Sequence, residues 1–151
     1  KEMGLSMIND KNADILWGVA GLSGNGAAEA ALESGKAWFI GVDSDQELTL
    51  PADQAAITLT SGLKNVGKSI IWLFDEWDAG RTYWGKEVRL GISEGGVGIV
   101  IDKNFAKVAP KAVQDAVLAA QADIVAGKIV VPTAIGDTTN AVVTLRDSLQ
   151  P

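Results

Sequence analysis

The sequence predicts an α/β fold in which helices flank a parallel β-sheet. Asp14–Ala20 and Ala37–Val42 are apolar runs, as expected for strands that are buried on both faces. Between them lie a glycine-rich turn, Gly21–Gly26, and an alanine-rich helix, Ala27–Ser34, that ends at Gly35. Strand, helix and strand in this order form a βαβ unit, whose two strands are parallel and joined by a right-handed crossover.

The rest of the chain continues this alternation of helices and strands. In chain order the patterns predict the last turns of a helix over Lys1–Asn12, a strand over Ala55–Thr60, a helix over Leu63–Trp77, a hairpin formed by Glu87–Ile92 and Val97–Ile101, a helix over Val113–Ile124 that stops at Gly127, and a short strand over Ile129–Val131 before Pro132. The tail from Ala134 onward is weakly patterned.

One predicted helix is unusually apolar. In Leu63–Trp77, the residues Val66, Ile70, Phe74 and Trp77 recur at helical spacing and form a continuous stripe. Ile71, Trp72 and Leu73 broaden this stripe to more than half of the circumference. Such a helix needs cover on several sides, which hints that part of the fold lies outside this chain.

Composition favours binding over catalysis. The chain has 151 residues, 47% of them hydrophobic, which suits one compact domain with a substantial core. Its net charge of −6 argues against nucleic acid or an anionic membrane surface as the main partner. It contains neither cysteine nor histidine, so thiolate chemistry, the commonest general base and the usual zinc ligands are missing. We therefore predict a protein that is not an enzyme and uses no cofactor or metal.

An acid and a base follow two neighbouring predicted strands. Asp43 ends one apolar run, and Lys64 follows the next. Ligands of open α/β sheets gather outside the carboxyl ends of the strands, so this pair indicates the rim of a pocket. Lys64 is also predicted to begin a helix, where a positive charge is disfavoured by about 0.3–1 kcal/mol unless a partner such as Asp43 or a ligand oxygen compensates. The alternatives are that Lys64 is an ordinary surface lysine and that Asp43 is a solvated turn acid. The second interpretation also suits Asp45.

Three other patterns have competing interpretations. Asp43 and Asp45 could form a metal pair or a catalytic dyad, although only Glu47 adds a nearby acid. Gly21–Gly26 could cradle a phosphate, but no lysine or arginine lies near it, and turn geometry explains it more simply. Trp17 could stack on a planar ligand, but the residue pattern alone favours core filling.

Two motifs in combination resemble a known family. Gly-Val-Asp-x-Asp-Gln, within Ile40–Gln46, and Thr-Ser-x-x-Lys, within Leu59–Asn65, are similar to sequences of the basic membrane protein family of bacterial solute-binding lipoproteins. Ala13–Gly26 and Ile124–Pro132 add to the similarity. It extends over nearly the whole chain but over only the second half of a typical member.

The resemblance implies a type I periplasmic-binding-protein fold, in which two α/β lobes joined by three crossing strands enclose a cleft. Residues 1–151 would then be the carboxyl-terminal part, namely one lobe with hinge-crossing elements. The helix at residues 63–79 would pack on the amino-terminal lobe, supplied by the same parent protein or by another chain. Lipid anchoring would occur through an amino-terminal part that is not in this chain, at the periplasm or the outer face of the cytoplasmic membrane.

The same resemblance implies capture of a purine nucleoside for an ABC-type importer, with a membrane permease as partner and no nucleic acid. By position, Asp43 would accept hydrogen bonds from the ribose hydroxyls and Lys64 would donate to the sugar. Trp17 would stack on the base, and the turn at Gly21 would form part of the cleft wall. A ligand-sensing regulatory domain of the same fold is an alternative, and an enzyme using Asp43 and Asp45 is a third.

Overall fold

The computed structural model describes residues 1–131 and 139–148, which form one four-stranded sheet with helices around it. A short 3-10 helix occupies Gly21–Gly24. The strands are β1 (Ile15–Trp17), β2 (Trp38–Asp43), β3 (Thr58–Lys64) and β4 (Val97–Ile99), and the helices are α1 (Glu2–Lys11), α2 (Asn25–Ser34), α3 (Ala52–Ala56), α4 (Val66–Asp78), α5 (Lys103–Val108), α6 (Lys111–Val125) and α7 (Thr139–Ser148).

The sheet is mostly parallel, as the sequence predicts. Its strand order is β1-β2-β3-β4; the first three strands are parallel and β4 runs antiparallel to β3. The register places Trp17 beside Ile40 and Asp43 beside Leu63. The carboxyl ends of β1, β2 and β3 therefore lie along one edge of the sheet.

The predicted βαβ unit is confirmed by β1, α2 and β2. Ala28, Ala30 and Ala31 of α2 are buried. The small side chains let helix and sheet approach closely. The helix ends at Gly35, whose φ of 62° is left-handed and whose N–H donates to the Ala31 carbonyl at 3.2 Å.

The core lies between this unit and α1. Phe39 of β2 is completely buried, and Gly4 of α1 packs so tightly that a Cβ on it would stand 2.8 Å from the Ala30 Cβ. The buried apolar cluster consists of Ile8, Leu16, Ala28, Ala30, Ala31, Ala37 and Phe39. The strand predicted over Asp14–Ala20 is wrong in length and burial, because β1 has three residues and Ile15 and Trp17 are exposed.

The third strand is shifted relative to the prediction of Ala55–Thr60. Pro51 starts the short helix α3 instead, with the Ala55 N–H donating to the Pro51 carbonyl at 2.8 Å. Strand β3 then runs from Thr58 to Lys64. Lys64 ends a strand and α4 begins at Val66, so the predicted conflict between Lys64 and a helix dipole does not arise.

Two other predicted strands are also wrong. Glu87–Ile92 forms no strand, and β4 pairs with β3 rather than within a local hairpin. Hydrogen bonds from the Asn65 N–H to the Gly96 carbonyl (2.8 Å) and from the Val100 N–H to the Ser61 carbonyl (3.0 Å) extend this pairing. Ile129–Val131 is not a strand either; the Ile129 N–H donates to the Asp123 carbonyl at the end of α6. Pro132 lies outside the described residues.

Helix α4 lies on the outside of the described structure. It has no buried residue, and the stripe formed by Val66, Ile70, Phe74 and Trp77 is between 54% and 57% exposed.

Within residues 1–131 and 139–148, no helix combines the length and apolar character needed to cross a membrane. The unpredicted helix α7 completes the described elements.

Candidate ligand-binding site

The structure brings Asp43 and Lys64 together at the carboxyl edge of the sheet. Asp43 ends β2 and Lys64 ends the neighbouring β3, and the Lys64 Nζ lies 3.0 Å from the Asp43 Oδ1. Their side chains are 54% and 62% exposed, respectively. An exposed pair of this kind contributes at most about 1 kcal/mol to folding. Both groups therefore have free donor or acceptor positions directed to solvent and available to a ligand.

The backbone at Asp43 is held in an uncommon conformation. Its φ of 68° is left-handed, which costs a residue other than glycine about 1–3 kcal/mol unless its surroundings compensate. The Ser44 N–H donates to the Val42 carbonyl at 2.8 Å and closes a tight turn around it. Such strained residues concentrate at ligand sites, where the surrounding structure fixes a side chain in place.

Gln46 provides much of this restraint. Its Oε1 accepts from the Val42 N–H at 2.9 Å, and its own N–H donates to the buried Ser61 Oγ at 3.0 Å. Its Nε2 donates to the Asn25 Oδ1 at 3.3 Å. Gly41 leaves the necessary space, because a Cβ there would stand 2.9 Å from the Gln46 Cβ. Gln46 thus joins the Asp43 turn to β3 and α2.

Gln46 and Ser61 are not predicted as site residues by any sequence pattern. The only available signal was the position of both residues inside the two family-like motifs. The structure explains that position, since both bond to the backbone or side chains that carry Asp43.

Asp45 faces a different partner from Asp43. Its Oδ2 pairs with the Nζ of Lys103, and its Oδ1 accepts from the Glu47 N–H at 3.2 Å. This hydrogen-bonded Asp45 raises the pKa of Lys103. The Asp45 and Lys103 side chains are 19% and 33% exposed, so this pair is more buried than Asp43–Lys64. Asp45 therefore caps the Glu47 N–H, as expected of a turn acid, but it is only 19% exposed and is paired with Lys103, a partner that no sequence pattern predicts.

No arrangement in the described ranges suits a metal. No group of three or more aspartate, glutamate, histidine or cysteine residues that could hold an ion occurs there. Glu47, the third acid of the loop, has a buried Oε1 without a hydrogen-bond partner within this described part, and burial raises the pKa of its carboxyl. Asp45 and Glu47 thus share the charge of Lys103, whereas Asp43 pairs with Lys64.

Trp17 lies at the same edge of the sheet as Asp43 and Lys64. It is the last residue of β1 and is 63% exposed, so the core-filling interpretation is wrong. Its Cζ2 lies 4.0 Å from where a Cβ on Gly62 of β3 would be. A large aromatic surface is therefore available above the strand that ends in Lys64.

Gly21 begins the turn that follows β1. Its φ of +54° is left-handed, and no atom lies within 4 Å of the position of a Cβ, so the residue faces open space. Before the turn, a Cβ on Gly18 would stand 2.8 Å from the carbonyl oxygen of Gly24, which lies within it. This close approach of two backbone segments explains the glycines at 18 and 24 without a phosphate.

Curated relatives share sequence with most of this chain. Basic membrane protein C of Borreliella burgdorferi is 31% identical over 134 residues, which are 87% of this chain and 36% of that protein. The ABC transporter nucleoside-binding protein BmpA of Lactococcus lactis is 31% identical over 132 residues, which are 80% of this chain and 36% of that protein. The chain thus spans about a third of the length of these relatives.

Solved structures and a family model agree with this relationship. An ABC transporter solute-binding protein from Aeropyrum pernix matches with a TM-score of 0.68 at 23% identity, over 98% of this chain and 47% of that one. An ABC transporter solute-binding protein from Conexibacter woesei matches with a TM-score of 0.62 at 23% identity, over 87% of this chain and 41% of that one. These likenesses confirm the fold. The family model described as "ABC transporter substrate-binding protein PnrA-like" matches residues 1–134, and the chain therefore belongs to this Bmp family of ABC transporter substrate-binding proteins.

Proposed function

We propose that this chain carries nucleoside-contacting groups of the solute-binding component of an ABC-type importer. The observation that carries the proposal is the pairing of Asp43 Oδ1 with Lys64 Nζ at 3.0 Å, half exposed, at the edge of the sheet where ligands of such folds bind. Membership of the substrate-binding family and the nucleoside-binding name of the Lactococcus lactis relative support it.

The chemistry of the pair suits a neutral sugar. A carboxylate accepts hydrogen bonds from two vicinal hydroxyls, and an ammonium donates to a hydroxyl oxygen, in charge-assisted bonds about twice as strong as neutral ones. Because Lys64 neutralises Asp43, the pair as a whole favours an uncharged ribose over a phosphate. Trp17 would add stacking on the base, and the turn at Gly21 would form part of the wall of the cleft.

We further propose that a second lobe, from the same parent protein or another chain, closes this cleft and packs on residues 63–79. The support is the exposed apolar stripe of α4 and a groove of about 430 Å³ between α4 and residues 81–90. Aromatic residues line much of this groove, among them Trp72, Phe74, Trp77, Tyr83 and Trp84. A free surface this apolar usually marks an interface.

In this proposal the protein performs no covalent chemistry. It binds the nucleoside, closes, and passes it to a membrane permease, from a lipid-anchored position at the periplasm or the outer face of the cytoplasmic membrane. No step needs a general base, a metal or a cofactor.

The test is a calorimetric titration of the full-length protein. The titrants are adenosine, guanosine, inosine and the free bases. We expect Asp43→Asn to weaken every nucleoside by about 10- to 100-fold, because hydrogen bonds to a charged group contribute about 1.5–3 kcal/mol. The free bases should bind as before. Asparagine is suitable because it tolerates the left-handed backbone found at Asp43.

Asp115→Asn is a matched control. Asp115 also pairs with a lysine, Lys111, and its side chain is 57% exposed against 54% for Asp43, but it lies on α6. We expect this variant to bind nucleosides like the wild type. Equal weakening of nucleosides and free bases by Asp43→Asn, or an equal effect of Asp115→Asn, would contradict the role given to Asp43.

A further inference from the structure

The loop that follows Asp43 is attached to a distant part of the chain. Asp45 pairs with Lys103, which is 58 positions later in the sequence and is the first residue of α5. The neighbouring Asn104 donates from Nδ2 to the Ala55 carbonyl at 3.0 Å and to the Thr58 carbonyl at 2.9 Å. The start of α5 is therefore hydrogen-bonded to the segment leading into β3. These bonds fix the position of Lys103, which pairs with Asp45.

Two residues near this connection have unusual backbone conformations. Lys103, at one end, has a left-handed φ of 53°, and Asp43, two residues before the other end, has one of 68°. Left-handed residues other than glycine persist where their surroundings determine them. The short sequence from Asp43 to Glu47 thus has restraints on two sides, Gln46 toward β2 and β3 and Asp45 toward Lys103.

We propose that Lys103 is a positioning residue for the ligand-contacting carboxylate, fixing the Asp43 loop through its ion pair with Asp45. The inference rests on the proposed function. Lys103 would act in two ways. It holds the turn in which Asp43 is strained, and it occupies the Oδ2 of Asp45, whose Oδ1 already accepts from the Glu47 N–H. Asp43, 54% exposed against 19% for Asp45, is then the carboxylate of the Asp-Ser-Asp sequence that is available to a sugar.

The first test measures the loop without any ligand. Amide hydrogen exchange should be followed at Gln46, whose N–H donates to Ser61, and at Glu47, whose N–H donates to Asp45. We expect Lys103→Met to accelerate exchange at these amides about tenfold, because loss of one charge-assisted hydrogen bond is of this size. Lys111→Met, which removes an exposed lysine from the pair on α6, should have no effect on them.

The second test measures nucleoside binding by calorimetry. Lys103→Met should weaken nucleosides about tenfold but leave free bases unchanged, and Lys103→Arg should restore most of the affinity. In an Asp43→Asn background, Lys103→Met should cause little further loss, because it acts through Asp43. If Lys103→Met does not fold, Asp45→Asn can replace it, because asparagine keeps an acceptor for the Glu47 N–H. We expect Asp45→Asn to weaken nucleoside binding as Lys103→Met does.

The two tests separate this proposal from the proposed function. If the wild type binds no nucleoside, the proposed function fails, and unchanged exchange at Gln46 and Glu47 would still overturn the positioning role on its own. If nucleosides bind but Lys103→Met weakens free bases equally, or its effect adds in full to that of Asp43→Asn, Lys103 has a general structural role and the inference is wrong.

Discussion

Gly41 has a specific steric role near the site. It lies in the middle of β2, two residues before Asp43, and its missing side chain makes room for Gln46. In Gly41→Ala the new Cβ would stand 2.9 Å from both Cβ and Oε1 of Gln46 and would overlap the Ser61 Oγ. Both neighbours must move, and Ser61 is completely buried.

The magnitude follows from the contacts that are lost. Moving Gln46 breaks the bonds from Val42 N–H to its Oε1 (2.9 Å) and from its N–H to Ser61 Oγ (3.0 Å). Each contributes about 0.5–1.5 kcal/mol, and overpacking adds about 1–3 kcal/mol. We therefore expect Gly41→Ala to lower the free energy of unfolding by about 2–6 kcal/mol, a large share of the 5–15 kcal/mol typical of a domain.

The assay is guanidinium denaturation followed by far-ultraviolet circular dichroism. Gly98→Ala is the matched control, because Gly98 also lies in a strand of this sheet but no atom stands within 4 Å of its Cβ position. That change should leave stability the same or raise it by about 0.5–1 kcal/mol. Equal stabilities of the two variants would refute the assignment of Gln46 as the residue packed against Gly41.

Two further predictions concern α4. If a second lobe covers Ile70, which is 54% exposed here, Ile70→Glu should lower the unfolding free energy of the full-length protein by about 1.5–3 kcal/mol. Lys68→Glu on the same helix should not lower it. Equal melting temperatures for Ile70→Glu and the wild type would contradict this prediction. Hydrogen bonds from Arg81 (2.5 Å) and Tyr83 (2.7 Å) lower the pKa of Glu76 to about 2, so this contact stabilises the protein above the ordinary range of glutamate and is lost as the pH falls through that range toward 2. The NMR signal of the Arg81 Nε–H should shift over this acidic range and should not do so in Glu76→Gln; an Arg81 signal that is insensitive to pH would contradict the pairing.

Local patterns predicted α1, α2 and β2 well. The helix α2 and its end at Gly35 follow from alanine content and a left-handed glycine, which are properties of adjacent residues. The placement of Asp43 and Lys64 on one edge followed from the rule that parallel strands share their carboxyl ends. Lys64 lies at that edge as the last residue of β3, not at the start of a helix. The predicted pair is therefore present, but the helix-dipole reason given for it is wrong.

Non-local contacts account for the errors. Strand β4 has its partner in β3, so the glycine-rich turn chemistry before it indicated a hairpin that does not form. The Asp45–Lys103 pair joins residues 58 positions apart, and no spacing in the sequence points to it. Trp17 was expected in the core because tryptophan usually packs there, but β1 lies at an edge of the described sheet and leaves it 63% exposed.

The proposed convergence of Asp43 and Lys64 on the hydroxyls of a ribose can be tested with a ligand that lacks those hydroxyls. Inosine and 2′,3′-dideoxyinosine carry the same base, and calorimetric titration of the wild-type protein with both isolates the sugar contribution. We expect the dideoxy compound to bind at least about tenfold more weakly, since charge-assisted hydrogen bonds to Asp43 and Lys64 are lost. Equal affinities for the two compounds would contradict it.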